Sequence, residues 1–498
     1  APGTPRIDGV AGAPATQATP WAVPAAARTP PPPAAPPVAP LATVALSADS
    51  ATTGVVQFSL ADVVDLALKS NPATRESWAN AQAAVNQYGS ARGALFPTIK
   101  GSVNLAGASN GSVLGGGGNG SSVVLDTTGS STRAVGAVGG LTRAQITPAI
   151  SLTYLVLDAG GRSATIEAAK QNAIAVDLAH NTAINDLVLL VESTLFTYLA
   201  NLALRDAQVT AVKEAQTDTA AAEARFRVGV GTLQDVLQAR TELSQARLQL
   251  VTLQGMLITS RANLAAAMGL PANARFDIPT IAARDSVAKV AATVDTLINR
   301  AITLRPDLAQ ARAAAAQLSA QIRVVQSEYR PSLNLSTIQS VTRSVEGPSP
   351  SNGLNASLVL GLQLPIFNGF SSAYDVRAAR AQYQSGLAHV ASTQQQITVQ
   401  VFTSYASLQT AREKVGAAAD LLASASQSAD VATGRYREGV GTILDILVAR
   451  TALDSARAED IQARWSWRMA LSQLAHDVGS LDVRGRPNIP LVGLPRNP

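Results

Sequence analysis

The chain of 498 residues contains the same glycine-centred phrase twice, 210 residues apart. RFRVGVGTLQDVLQAR spans residues 225–240, and RYREGVGTILDILVAR spans residues 435–450. Across the 23 aligned positions 225–247 and 435–457, 14 residues are identical. Internal self-similarity of this kind marks a duplicated structural unit. The fold must therefore be built from two copies of one unit.

Proline breaks extend the repeat upstream of each phrase. Residues 58–97 and 292–331 each predict a short helix, a break at an x-Pro pair and a second helix. The prolines of the two copies are related by a shift of 234 residues, whereas the glycine phrases are related by 210. The difference of 24 residues lies within the glycine-rich part of 98–158. We interpret it as a loop insertion, which costs a fold little.

Two very long helices are predicted after these segments. Residues 162–228 contain neither glycine nor proline, and residues 370–438 contain no proline. A helix of 67 residues is about 100 Å long, too long for a globular domain. The returning helix carries a coiled-coil pattern of large and small residues at intervals of seven: Val236, Leu243, Leu250, Leu257 and Leu264 beside Ala239, Ala246, Leu253, Ser260 and Ala267. The second copy keeps the small row and places Asp460 in the large one. We therefore predict helix hairpins over 159–269 and 369–479.

The segments 98–158 and 332–368 alternate in polarity and predict strands. Leu358, Leu360, Leu362 and Leu364 share one face, opposite Ser357, Gly361 and Gln363. A period of two suits a strand of a lipid-facing barrel and equally a half-buried hairpin of a soluble protein. The aromatic content of 4% predicts only a thin aromatic girdle for a barrel.

The glycine phrase itself predicts a tight turn between two antiparallel helices. Gly229 and Gly439 follow helical runs and suit the left-handed position that ends a helix. Thr232 and Thr442 suit the N-cap of the next helix, with Asp235 and Asp445 three residues later as in a capping box.

Composition excludes several classes of protein. The chain has no cysteine, which rules out disulfides and zinc–cysteine sites, and a net charge of +5 without a basic block gives no indication of nucleic-acid binding. No run of 18 apolar residues appears, so we expect no transmembrane helix. Residues 1–57 are rich in proline and predict an extended or disordered tail, and a start at Ala1 without methionine is expected of a mature secreted chain.

Motifs of enzymes are present only without their structural context. GASNG at 107–111 fits G-x-S-x-G, and the glycines at 115, 117 and 120 fit G-x-G-x-x-G, but both lie in one glycine-rich loop with no following helix. His180, His389 and His476 are far apart and predict helix-surface or packing roles. No metal-ligand spacing and no nucleophile–base pair is evident, so we expect no enzyme, metal or cofactor.

The paired R-[FY]-x-x-G-V-G-T-x-x-D phrases, the breaks at Asn71-Pro72 and Arg305-Pro306, and the strand-ending Asp158-Ala-Gly-Gly and Phe367-Asn-Gly together resemble TolC-like outer-membrane efflux proteins. The resemblance covers residues 58–479. It implies an α+β membrane protein that is built from two repeats and assembles as a homotrimer. Each chain would contribute four strands, and the three chains would form a 12-stranded outer-membrane barrel in lipid above a long periplasmic α-helical barrel. The short helices, the linker 270–291 and the tail 480–498 would form an equatorial belt.

The function implied is a passive exit duct of a tripartite efflux system in the bacterial outer membrane. Its entrance would open when a periplasmic adaptor docks, and an inner-membrane pump of RND or ABC type would supply the energy. Two alternatives stay open: the outer-membrane component of a type I protein secretion system, and a soluble coiled-coil scaffold. A scaffold would be soluble without detergent, whereas a duct would require it.

The resemblance also assigns residues at the periplasmic end. The adaptor-docking turns would be Gly229, Val230, Gly231, Thr232, Gly439, Val440, Gly441 and Thr442, and the gate would be Asp445, Asp235, Tyr436, Val448 and Leu444. Gly441 departs from the TolC pattern, which has an arginine there, and Val448 replaces a second ring of aspartates. The gate would then have fewer polar links or an apolar constriction. Three Asp445 carboxylates meeting at a trimer axis would repel, raise some of their pKa values and favour cations.

Overall fold

The computed structural model describes residues 59–108, 122–125, 143–274, 276, 278, 289–344, 352–481 and 491–492. The proline-rich segment 1–57 lies outside the described residues. So do all but the first two residues of the glycine stretch 107–120, and parts of the linker 270–291 and the tail 480–498.

The described residues repeat one order of elements, which confirms the duplication. The first copy contains α1 (Leu60–Ser70), α2 (Pro72–Gly93), β1 (Thr98–Ala108), β2 (Ser122–Leu125), β3 (Arg143–Leu157), α3 (Gly161–Arg227) and α4 (Leu233–Ala267). The strand β4 (Lys289–Val290) follows, and the second copy contains α5 (Val294–Leu304), α6 (Pro306–Glu328), β5 (Ser332–Ser344), β6 (Asn352–Gln363), α7 (Ser371–Arg437) and α8 (Ile443–Asp477). Near the end, β7 (Leu491–Val492) pairs with β4, which ties the linker to the tail. The extra strand β2 lies within the insertion and was not predicted.

The short helices begin where their capping residues predict. Ser59 and Asp62 form a capping box at the start of α1. Asn71 ends α1 and caps α2, because its side-chain oxygen accepts a hydrogen bond from the backbone N–H of Ala73 at 2.8 Å. Pro72 occupies the first turn of α2, where its missing N–H has no cost. Pro306 has the same place in α6.

The strands form one antiparallel sheet in the order β2-β1-β3-β5-β6. Four strands are long, and β2 pairs with β1 over four residues only. One edge is β6, and the other is the part of β1 that β2 does not cover. The register fixes which residues share a face, because side chains alternate along each strand.

The two faces of this sheet differ in polarity. One cross-strand row joins Leu358, Thr337, Leu152 and Ile99, and the next in the same direction pairs Leu360 with Leu335. The opposite face carries the row Val359, Ser336, Thr153 and Thr98 and the row Asn355, Ser340, Ala149 and Ser102. Leu358, Leu360 and Leu362 are 73%, 63% and 67% exposed, so no helix of the described chain covers the leucine face. The sheet is therefore amphipathic with its apolar face uncovered.

The long helices α3 and α7 have 67 residues each, and α4 and α8 have 35 each, as predicted. At 1.5 Å per residue they measure about 100 Å and about 50 Å. Helix α3 packs along α4, and α7 packs along α8. The small row of the coiled-coil pattern is buried in both copies, since Ala239, Ala246, Ala449 and Ala456 all lie in the interior.

Three larger apolar clusters hold these helices together. One joins α1 with α3 and α4, and an equivalent one joins α5 with α7 and α8. Trp465 lies in the first of these and Trp467 in the second, so both tryptophans pack between the helices. The third cluster lies near the turns and combines residues of both hairpins. One stretch of α3 is long and apolar enough to cross a membrane, and 44% of it is buried within the chain.

Candidate functional site at the two helix turns

The two glycine phrases form turns of nearly identical backbone geometry. Gly229 and Gly439 both have φ of 79°, the left-handed conformation predicted for the residue that ends a helix. The N–H of Val230 donates to the carbonyl of Arg225 at 3.0 Å, and the N–H of Val440 donates to that of Arg435 at 2.9 Å. These bonds satisfy carbonyl groups at the ends of α3 and α7 that have no partner within the helix.

The predicted capping boxes are present in both turns. The Thr232 hydroxyl accepts from the Asp235 N–H at 3.2 Å, and the Asp235 carboxylate accepts from the Thr232 N–H at 2.9 Å. Thr442 and Asp445 make the same two bonds at the same distances. Both aspartates therefore have a structural role, which is independent of any role at a gate.

The second glycine of each turn lies where a Cβ would be closely packed. A Cβ at Gly441 would lie 3.1 Å from both the Cβ of Arg435 and the backbone nitrogen of Tyr436. At Gly231 the corresponding distances, to Arg225 and Phe226, are 3.2 Å. Both are tighter than ordinary van der Waals contacts. An arginine at position 441, as in the TolC pattern, would need the preceding helix end to move.

The turns present apolar side chains to solvent. Val230 and Val440 are 71% and 69% exposed at the two tips. Behind them, a groove of about 960 Å³ separates α4 from α8, and its walls include Leu233, Leu237, Leu444 and Val448. A second groove of about 690 Å³, between α7 and α8, is lined by Leu444, Asp445 and Val448. Leu444 and Val448 thus form an exposed apolar ridge shared by the two grooves.

The Asp445 side chain is exposed, and its pKa in a single chain is lowered. The hydrogen bonds from the backbone and side chain of Thr442 are the main causes, with the nearby charge of Arg435 adding to them. This direction is opposite to the one expected when three Asp445 carboxylates meet. That expectation concerns an assembly of three chains and stays a prediction.

Tyr436 links the two hairpins through a contact with Arg225. The Arg225 guanidinium lies 4.0 Å from the centre of the Tyr436 ring and donates to the Tyr436 carbonyl oxygen. Burial raises the pKa of Tyr436, and the Arg225 charge opposes this rise. A desolvated cation–π contact contributes about 2 kcal/mol. Arg225 is part of the quoted phrase, yet sequence reasoning gave it no role.

A group of charged residues above the turns was also not predicted from the sequence. Glu214 and Asp218 of α3 face Arg450 and Arg457 of α8, and together they join the two hairpins. Their signal in the sequence was weak, because acidic residues on a long helix usually form a solvated face. Only the packing of α3 against α8 brings them to the arginines.

Two of the histidines make polar contacts between side chains. His476 lies between two carboxylates, with Nε2 at 2.9 Å from Asp186 and Nδ1 at 3.0 Å from Asp477. His180 Nδ1 lies 2.8 Å from the Ser77 hydroxyl, a nucleophile–base contact that the sequence did not reveal. Ser77 sits inside α2, where backbone N–H groups are bonded within the helix, so no oxyanion site adjoins it. Its hydroxyl also bonds the carbonyl of Thr74.

Comparison with known proteins agrees with this architecture. The model of the family described as outer membrane efflux protein matches residues 63–270 and 297–480. Protein CyaE of Bordetella pertussis is 26% identical over 441 residues, which cover 86% of this chain and 86% of that protein. The probable efflux pump outer membrane protein TtgC of Pseudomonas putida is 26% identical over 336 residues, covering 67% and 68% of the two chains.

Solved structures show the same fold. A structure of CusC, described as revealing conformational changes that accompany folding and transmembrane channel formation, aligns with a TM-score of 0.71 at 19% identity, over 85% of this chain and 93% of that one. The outer membrane protein VceC of Vibrio cholerae aligns with a TM-score of 0.67 at 19% identity, over 84% and 96%.

Proposed function

Because this chain belongs to the outer membrane efflux protein family, we propose that three copies form the exit duct of a tripartite efflux system. The family and the fold are those of outer-membrane channels. The duct carries small molecules from the periplasm, or from an inner-membrane pump, to the exterior. The observation that carries the proposal is an amphipathic four-stranded sheet with an uncovered leucine face, joined to helix hairpins about 100 Å long.

The sheet needs partner copies because its edges are open. An exposed long strand edge pairs readily with another chain, and a membrane-spanning sheet must close on itself. Four long strands are too few for a barrel, whereas three copies give twelve, within the range of outer-membrane barrels. The row of Leu358, Leu360 and Leu362 then faces outer-membrane lipid. The Ser- and Thr-rich rows of the other face line the lumen.

Aromatic residues support a membrane boundary where strands meet helices. Phe96, Phe367, Phe370 and Tyr374 are 65–73% exposed, and all lie at the junctions between the sheet and the helices. Phe367 and Phe370 pack edge to face with ring centres 5.4 Å apart. Girdles of aromatic residues flank the apolar band of outer-membrane barrels at its interfaces. The thin aromatic girdle expected from the composition is therefore concentrated at the boundary between the sheet and the helices.

We propose docking and gating roles for the helix turns. In this proposal the turn residues 229–232 and 439–442 receive the hairpin tips of a periplasmic adaptor, with exposed Val230 and Val440 supplying apolar contact. The ridge of Leu444 and Val448 narrows the entrance, and Asp445 gives it a negative ring. The Arg225–Tyr436 contact holds the second hairpin against the first.

The first test is purification and assembly. We expect extraction only with detergent, a homotrimer by light scattering, and drug sensitivity in a strain that lacks the gene. A monomer that is stable in plain buffer would contradict the proposal and favour the coiled-coil scaffold. Co-purification of an adaptor and a transporter, with secretion of a protein and no change in drug sensitivity, would favour type I secretion instead.

The second test separates gating from capping. Asp445→Ala should raise single-channel conductance and the uptake of large antibiotics, because it shortens the side chain proposed to narrow the entrance and removes one cap of α8, which loosens the entrance. Asp235→Ala, with the same capping box on the first hairpin, is the matched variant. Unchanged conductance in both would leave these aspartates with capping alone.

A further inference from the structure

Five charged side chains form a cluster that joins the hairpins above the turns, here called the upper charge cluster. It consists of Glu214 and Asp218 on α3 and Arg450, Asp454 and Arg457 on α8. Two N–H groups of Arg457 donate to the two oxygens of Glu214, at 3.0 and 3.2 Å. Arg450 lies 3.2 Å from Glu214 and 3.6 Å from Asp218, and Arg457 lies 3.2 Å from Asp454. All five side chains are between 9% and 30% exposed.

The duplication shows that this cluster is specific to the link between hairpins. The residue equivalent to Arg450 in the first copy is Arg240, which lies 2.7 Å from Glu223 of its own hairpin. Arg450 instead reaches α3 of the other hairpin. The two acids that receive it, Glu214 and Asp218, correspond to Ser424 and Ser428 in the second copy. The same arginine position therefore serves within one hairpin in the first copy and between hairpins in the second.

The cluster is separate from the contact at the tip. Arg450 and Arg457 follow the cap Thr442 by 8 and 15 residues, which places them about 12 and about 22 Å along α8. Arg225 and Tyr436 make their contact at the helix ends themselves. The second hairpin thus contacts the first at two levels along the helices, at the tip and at the upper charge cluster. Removing one partner of such a partly buried pair is costly, because it leaves the other charge partly desolvated and unpaired.

We propose that the upper charge cluster is a second restraint on the entrance, and that proton binding at Asp454 tightens it. The inference rests on the proposed function, since it assumes that separation of the hairpins opens the channel. Asp454 shares α8 with Arg457 and competes with Glu214 for the same guanidinium. When Asp454 is neutral, Arg457 is committed to Glu214 on the other hairpin.

Acid should therefore favour the closed entrance. Burial raises the pKa of Asp454 to about 6, with the charge of Glu214 adding to the rise and Arg457 and Arg450 opposing it. Burial also raises the pKa of Asp218. The other polar groups lining the cavity at Asp454 are uncharged: Gln208, Gln249 and Gln462. Once the hairpins separate, Asp454 is hydrated and regains its usual pKa of 3.8. The closed state binds the proton more tightly, so lowering the pH from 7.5 to 5.5 should shift the equilibrium toward it by about fourfold per protomer.

Single-channel recording of the purified trimer at pH 7.5 and pH 5.5 tests the proposal. The wild type should open less at pH 5.5. Asp454→Asn, which mimics the protonated acid, should open rarely at both values and lose most of the pH dependence, with Asp218 supplying the part that is left. Glu214→Gln should open more at both values. Glu223→Gln removes an acid from the pair within the first hairpin and should behave as the wild type.

Folding defects are separated from gating by a conservative variant. Glu214→Asp keeps the negative charge that Glu214→Gln removes and should open less than Glu214→Gln, and all variants should migrate as trimers. The inference is overturned if Glu214→Gln channels match Glu223→Gln channels, or if Asp454→Asn keeps the wild-type pH profile. A wild-type trimer that forms no channel would overturn the proposed function and this inference together.

Discussion

Substitution of His476 should remove a pH-dependent part of the free energy of unfolding. His476 lies at the end of α8, with a side chain only 15% exposed. Burial alone lowers the pKa of this imidazole, but hydrogen bonds to Asp186 and Asp477 and their negative charges outweigh it and raise the pKa to about 9. The folded protein therefore holds an imidazolium that bridges α3 and α8.

The size of the effect follows from the shift of the pKa. A rise from 6.5 to about 9 corresponds to about 3 kcal/mol of preference for the charged form in the folded state. Asp186 is 61% exposed, so solvent screening reduces the net value to about 2 kcal/mol. Because the folded pKa is raised, this stabilisation is complete below pH 6.5 and disappears as the pH rises through 9.

Urea unfolding in detergent, followed by tryptophan fluorescence, measures this contribution. Trp465 and Trp467 are buried on the same helix as His476 and should report its loosening. His476→Gln should lose about 2 kcal/mol at pH 6.5 and little at pH 10. His389→Gln changes an exposed histidine on α7 and should lose nothing.

The reasoning would be refuted by either of two results. One is a His476→Gln protein as stable at pH 6.5 as His389→Gln. The other is a difference between wild type and His476→Gln that stays constant from pH 6.5 to pH 10. Asp186→Asn should remove part of the difference, since Asp477 remains as a partner.

Three more predictions concern other parts of the chain. Burial raises the pKa of Glu192 from 4.5 to about 7, against the hydrogen bond from Ser472, so ionisation of this carboxyl costs stability as the pH rises from 4.5 to 7. Glu192→Gln should therefore add about 3 kcal/mol at pH 8 and nothing at pH 4 in urea unfolding. Leu360→Arg should cost about 2 kcal/mol or more and reduce the yield of folded trimer, whereas Ser336→Arg on the opposite face should not. Thr442→Ala should cost about 1 kcal/mol in thermal unfolding, because it removes one cap of α8; an unchanged midpoint would contradict this role.

The local features of this fold could be predicted from the sequence. Gly229 and Gly439 take the left-handed conformation, and Thr232 and Thr442 cap the returning helices, because each depends on residues within one turn. The lengths of α3 and α7 followed from runs without proline, and the duplication followed from identity at a constant shift. Such features are set by backbone sterics and hydrogen bonds between near neighbours.

Strand pairing and charge pairing needed the tertiary structure. Alternation in residues 354–364 was compatible with a lipid-facing strand and with a soluble hairpin. The register of β6 against β5 leaves the leucine face uncovered, which favours the lipid-facing strand. The strand β2 lies in a glycine-rich insertion without periodicity, so nothing local predicted it.

Sequence by itself determined a duplicated chain of long helix hairpins with capped turns, because these properties are local or repeat along the chain. Tertiary structure alone decided that Arg225 meets Tyr436, that Arg457 reaches Glu214 243 residues away, and that His476 lies beside Asp186. Those contacts join helices from different copies, and their energies depend on the burial that packing creates. The identity of a charged residue does not show whether its side chain faces water or an opposite charge on another hairpin.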